Sequence, residues 1–310
     1  MFNAKLVRVV LTERPRIFHA VDLDVGMVGV VARKIMGMKF VYDIADWYSA
    51  SRPQREWLRK ASAVLGIAWF LDRVETWVAA QADCVILPHE NRLVFLRREP
   101  VKWMVVGNAP SEEEVKEARA EGRSPGEYFA YVGTLYADRG IEVLLRVARA
   151  KRLPVVIAGT GPLERACRAA YEEAGRYVQF LGRVDYREAL RIQAASRAVV
   201  LLYDPRRAIN RMAAPYKLYE AMALGKPVIV SEGTWPAELV KNEGIGLAVK
   251  YGDEEALAEA MGYLWANEEE AMRLGARGRE LFDAGLKYEL ECEKLCAAYK
   301  ELLDQIGKNR

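Results

Sequence analysis

The stretch Ala214-Pro-Tyr-Lys-Leu-Tyr-Glu-Ala-Met-Ala-Leu-Gly-Lys-Pro-Val-Ile229 decides how this chain is read. Pro215 opens a short helix, where its missing N–H costs nothing. Lys217 and Glu220 stand three apart and share one helix face. Gly225 ends the helix, and Lys226-Pro227 leads into the apolar run Val228-Ile-Val230. A helix start carries free N–H groups, and a Lys beside a Glu can meet a diphosphate and a sugar hydroxyl together. The same residues also suit an ordinary αβ unit with a charged surface, so the rest of the chain has to decide.

Two series of alternating strands and helices surround this block. In the first, strands are expected at Ile17–Ala20, Lys39–Tyr42, Cys84–Leu87 and Trp103–Val106. Helices are expected at Leu23–Met36 and Glu90–Arg97 and over most of Arg55–Gln81. In the second, strands at Tyr128–Gly133, Pro154–Gly159, Val178–Leu181, Ala198–Tyr203, Pro227–Ser231 and Gly246–Val249 alternate with helices. Long helices at Glu268–Ala284 and Lys287–Gly307 close the chain. Such alternation predicts an α/β fold of two doubly wound, Rossmann-like parallel-sheet domains. The expected boundaries are a first domain over 1–110, a partly helical linker over 111–127 and a ligand-binding domain over 128–286. The last helix, about 287–308, is expected to pack back on the first domain.

A net charge of +3 over 310 residues excludes a strongly basic nucleic-acid protein. The charge is uneven: residues 1–110 hold 16 Lys and Arg against 11 Asp and Glu, and five of the seven Trp. That half suits an anionic membrane surface, with Arg52, Arg55, Arg59 and Lys60 flanking Trp57 and Leu58 as a docking helix. The competing reading is an ordinary helix packed on the sheet. No apolar stretch is long enough to span a bilayer. Cys84, Cys167, Cys292 and Cys296 form no CxxC pair, which fits a reducing cytoplasm, including the inner face of its membrane.

Glycines follow directly on the strands of the second series: Gly133-Thr134, Gly159-Thr-Gly161 and Gly182-Arg183-Val184. Glycine lets a backbone approach a ligand and offer its N–H groups. All of these mark the carboxyl rim of one sheet, where doubly wound folds bind ligands.

The order Tyr131-Val-Gly-Thr-Leu135, Arg139-Gly140, Val156-Ile-Ala-Gly-Thr-Gly-Pro162, Val178–Val184 and Pro215–Ile229 resembles the donor half of retaining GT-B glycosyltransferases. The family is "glycosyl transferases group 1" (glycosyltransferase family 4-like). The resemblance implies a nucleotide-diphosphate sugar of UDP or GDP type as co-substrate, no cofactor and no metal. It implies that Glu220 takes the ribose hydroxyls, that Arg139 with Lys217 neutralises the departing diphosphate, and that Thr134 faces it. Gly133, Gly161 and Gly182 would line the nucleotide. Arg183 and Val184 would read the base, and Tyr216 and Leu218 would flank the Lys. The acceptor, a glycan or lipid-linked sugar, would meet His19 and Asp46.

This sequence departs from that pattern in places. Met212 stands where a second Glu is usual, Thr134 where an Arg is, and Ala45 where a His is. Such acceptor domains usually open with further βα units, yet only 16 residues precede Ile17. The resemblance therefore implies an incomplete first domain, completed by a missing N-terminal segment or a partner chain. Asp22-Leu-Asp24 matches a metal-binding Asp-x-Asp string, but capping of the following helix is the simpler expectation. Two rivals to a transferase remain: a nucleotide-sugar-binding subunit that needs a partner chain, and an epimerase, disfavoured by the two His of the chain.

Overall fold

A computed structural model describes residues 2–47, 66–121 and 126–308. The proposed docking residues Arg52, Arg55, Trp57, Leu58, Arg59 and Lys60 lie outside the described residues. The chain divides into two compact units. One is Met1–Gly107 with Arg207–Ile209 and the chain from Glu291 onward; the other is Asn108–Arg206 with Asn210–Leu290.

The first unit carries a four-stranded parallel sheet in the order β1-β2-β3-β4: Ile17–Val21, Lys39–Asp43, Cys84–Leu87 and Trp103–Val105. Helices Asp22–Met36 and Ile67–Gln81 cover one face. Gly29 of the first helix lies against the Phe40 ring, where a Cβ would come within 2.2 Å. The other face is covered by Leu295, Tyr299 and Leu302 of the C-terminal helix Tyr288–Lys308, packed on Val41, Cys84 and Ile86. Ahead of β1, where the sequence suggested no element, Phe2–Glu13 is helical, with Val10 buried against the same core as Phe18.

The second unit holds six parallel strands in the order β10-β9-β8-β5-β6-β7. These are β5 Phe129–Val132, β6 Val155–Ala158, β7 Val178–Gly182, β8 Ala198–Leu201, β9 Val228–Ser231 and β10 Gly246–Val249. β5, β6, β8 and β9 are buried at every position, as strands covered on both faces must be. The order reverses between β5 and β8, and such a switch point opens a crevice at the carboxyl ends of the strands.

One expectation gains detail and another changes. The segment expected as a partly helical linker forms the helix Glu112–Glu121, and its Val115 and Ala118 are buried with Leu190, Leu218 and Leu224 in the core of the second unit. Its Glu112 carboxylate meets Arg279 at 2.9 Å and Lys287 at 3.6 Å. The Asp22–Met36 helix is not capped by its aspartates: Val21 is the N-cap, and no side chain bonds there. Asp22 adopts φ 60° and accepts the Asp46 amide at 2.8 Å instead. This conformation is one that Asp tolerates better than most residues.

The C-terminal helix should contribute directly to the stability of the first unit. Leu302 is 1% exposed, and Leu302→Ala should cost about 2–5 kcal/mol in denaturant unfolding of that unit. An unchanged transition would show that the helix does not seal the sheet.

Candidate active site

At the switch point the loops after β5, β6 and β7 are tied to one another. Gly133 donates to the Ala158 carbonyl at 2.8 Å, Leu135 to Thr160 at 2.9 Å, and Gly159 to Gly182 at 2.7 Å. The contact is so close that a Cβ on Gly159 would fall 1.7 Å from the Gly133 carbonyl oxygen. Gly133 has φ 143°, and a Cβ there would meet the Lys217 ammonium at 2.2 Å. Glycine at 133 is what lets the lysine lie across the end of β5.

Lys217 sits in the first turn of the helix Tyr216–Leu224, with Pro215 as N-cap and Gly225 closing it at φ 69°. Its Nζ lies 5.0 Å from the centre of the Tyr131 ring. Burial pushes its pKa down to about 8; the charge of Arg139 adds to this and Glu220 opposes it. Glu220, one turn on, is 5% exposed and accepts from Gln193 Nε2 at 2.7 Å. Burial raises its pKa, while Gln193, Lys217 and a hydrogen bond from Tyr186 pull it back.

Arg139 ends a short 3-10 turn, Ala137–Arg139. Its Nη1 lies 3.1 Å from Asp138 Oδ2 and donates to Asn210 Oδ1 at 3.0 Å. Its guanidinium stands 4.4 Å over the Tyr203 ring. Buried Asn210 also donates to Asp138 Oδ2 at 3.1 Å and to the Asp204 carbonyl at 3.0 Å. The arginine is thus fixed from three sides before any ligand arrives.

The structure therefore brings Gly133, Arg139, Lys217 and Glu220 to one rim. Thr134 is exposed there, and its carbonyl accepts from the Tyr131 hydroxyl at 2.6 Å. The Gly161 amide is already held by Glu164 Oε1 at 2.9 Å, which leaves fewer free donors than the glycine pattern suggested. Gly182 takes φ 67°, Arg183 is exposed, and Val184 packs against the small buried cluster that includes Val132 and Ile192. Tyr216 donates to the Ala109 carbonyl at 2.8 Å and meets the Tyr186 ring edge-on, while Leu218 is buried in the core.

In the first unit, His19 lies on the face covered by the C-terminal helix. Its Nδ1 is hydrogen-bonded with the Tyr299 hydroxyl, and its Nε2 is 3.4 Å from Asp43. Asp46 stands at the carboxyl end of that sheet, beside Asp22 and electrostatically coupled to buried Arg92. Among the described residues no group of three or more His, Cys, Asp or Glu gathers as a metal site. No described helix is long and apolar enough to cross a membrane.

Reading the sequence did not single out Gln193, Tyr186, Asp138, Tyr203 or Asn210. Gln193 had a detectable signal. It lies three residues after Leu190 and seven after Tyr186, so a polar amide occupies an apolar helix face.

A six-stranded Rossmann-type sheet with two cations and a buried carboxylate at its switch point belongs to the class of α/β nucleotide-binding folds. Residues 111–281 match the family model "Glycosyl transferases group 1", which is more than half of the chain. The protein belongs to that family. It is 28% identical to O-antigen chain mannosyltransferase C of Escherichia coli over 66% of this chain and 57% of that one. It is 33% identical to D-rhamnosyltransferase WbpZ of Pseudomonas aeruginosa over 51% of this chain and 42% of that one. The chain thus spans about half the length of these relatives. A sucrose-phosphate synthase from Thermosynechococcus elongatus superposes with a TM-score of 0.76 at 21% identity, covering 97% of this chain and 78% of that one. Anabaena HepE in complex with UDP superposes at 0.74 with 16% identity, covering 96% and 81%. The fold is α/β of the GT-B type.

The shift at Lys217 has a consequence for stability. The lysine titrates near 10.5 when unfolded and near 8 when folded. Between these values the unfolded chain holds the extra proton, so stability should rise as pH climbs from about 8 to 10.5. The destabilisation is fully present below 8. Lys217→Met should therefore stabilise the ligand-free protein at pH 7, on the order of 2 kcal/mol, and flatten that rise. Thermal unfolding across this pH range checks it; a variant less stable than wild type at pH 7 would contradict it.

Proposed function

We propose that this chain is a glycosyltransferase that moves a hexose from a nucleoside-diphosphate sugar to a glycan or lipid-linked acceptor with retention of configuration. The observation that carries this reading is the pair of cations, Lys217 and Arg139, beside buried Glu220 at the β5/β8 switch point. Two fixed positive charges suit a departing diphosphate, and fixed donors at developing charge lower a barrier without rearrangement. An ionised carboxylate next to them only accepts hydrogen bonds, which suits a ribose diol. The mannosyl- and rhamnosyltransferase relatives support a hexose and a role in polysaccharide assembly; HepE, bound to UDP, supports a nucleoside diphosphate.

UDP, GDP and their sugars should raise the melting temperature of the wild-type chain, since a ligand at a hundred times its Kd adds about 2.7 kcal/mol. Glu220→Ala should abolish the shift. Arg139→Ala should keep most of the binding and slow transfer about a hundredfold. A diphosphate holds Lys217 protonated, so affinity should weaken as pH rises through about 8. Binding that is indifferent to pH and to Glu220→Ala would contradict the site. Binding without transfer to any acceptor would favour the rival reading, a nucleotide-sugar-binding subunit that needs a partner chain.

We also infer contact with an anionic bilayer surface through the first unit. Trp69, Phe70 and Trp77 are 55%, 60% and 43% exposed along one helix. Arg73 lies 4.2 Å over the Trp69 ring and Lys34 5.2 Å from that of Trp77. Aromatic rings with cations beside them match the headgroup layer. The protein should sediment with vesicles containing phosphatidylglycerol and not with pure phosphatidylcholine, and Trp69→Ala with Phe70→Ala should release it. Equal sedimentation of wild type and the double variant would remove this surface from the proposal.

A further inference from the structure

Gln193 has no exposed surface, and its amide is oriented at a cost. Nε2 donates to Glu220 Oε2 at 2.7 Å, with a longer contact of 3.4 Å to the Ala189 carbonyl. Both contacts need a donor, so they fix which end of the amide faces Glu220. The other end, Oε1, is buried and finds no hydrogen-bond partner. A buried acceptor left without a partner is unfavourable, because its desolvation is not repaid. An apolar residue of the same length would avoid that cost, and what offsets it here is the charged bond to Glu220.

We propose that Gln193 is the positioning residue for Glu220. By occupying Oε2 it turns Oε1 toward the ribose and keeps the carboxylate an acceptor for both ribose hydroxyls. This rests on the reading of Glu220 as the ribose ligand. A protonated Glu220 would carry an O–H of its own and lose an acceptor position that the diol needs. The groups facing Glu220 are Lys217 and Tyr216 of its own helix, Tyr186 of the helix that carries Gln193, Tyr203 after β8, and Glu114 of the helix Glu112–Glu121. Burial opposes ionisation most strongly and Glu114 adds to it. Gln193, Lys217 and Tyr186 hold the charge. Of these, Gln193 alone has no charge or hydroxyl of its own, so its contribution is the oriented N–H.

The test is calorimetric titration of GDP and UDP and of their 2′-deoxy forms between pH 5 and 8. Wild type should prefer the ribose form by about tenfold, the scale of one charged hydrogen bond. Its affinity should fall at the acid end as Glu220 takes up a proton. In Gln193→Met the preference should shrink to about twofold, and the acid fall should begin at higher pH. In Gln193→Glu the two carboxylates would share one proton at low pH, so affinity should rise as pH falls, opposite in sign to wild type. That reversal carries the test if the Met variant fails to fold.

A Gln193→Met protein with an unchanged ribose preference and acid limb overturns the proposal and leaves Gln193 as packing. So does a Gln193→Glu protein with the wild-type sign. Wild type that binds neither nucleotide overturns the donor-site reading as well.

Discussion

The site is organised around a lysine that keeps its charge where burial disfavours it. Lys217 lies across the end of β5, against Tyr131 and within the field of Arg139, and Glu220 answers its charge. Such an arrangement is unfavourable for the protein alone and favourable once an anion arrives. Gly133 has no Cβ so that the ammonium can lie there. The Tyr216–Leu224 helix is anchored by seven consecutive buried residues, Leu218–Leu224. That anchoring holds Lys217 and Glu220 at one rim while both are poorly hydrated.

Arg139 is handled differently. Asp138 and Asn210 take one edge of the guanidinium, and the Tyr203 ring supports its face. Its charge is met beforehand at hydrogen-bond distance, whereas that of Lys217 is answered by Glu220 too weakly to offset burial. One cation is therefore prepaired and rigid and the other is in electrostatic deficit. A diphosphate bound between them would gain most from the second and its geometry from the first.

Much of the fold was legible because its signals are local. Val- and Ile-rich strands with a glycine at their carboxyl ends, such as Val156–Gly159, can only be strands entering a tight loop, and their alternation with helices forces a parallel sheet. Lys217 and Glu220 were legible through their spacing on one helix. What the sequence hid is tertiary. The charged run Glu112–Glu121 reads as a linker because seven of its ten residues are charged, yet Val115 and Ala118 seat it in the core. The sequence places Asp22 next to a helix and suggests a cap; the nearby Asp46 amide captures it instead. Gln193 and Asn210 gain meaning only from Glu220 and Arg139, which are 27 and 71 residues away.

A crystal structure of the chain with GDP or UDP would test the central claim most directly. The account predicts both ribose hydroxyls on Glu220, the diphosphate between Lys217 and Arg139, and the Lys217 ammonium drawn from the Tyr131 ring toward phosphate. A nucleotide bound away from the β5/β8 switch point, with Lys217 unmoved over Tyr131, would contradict it.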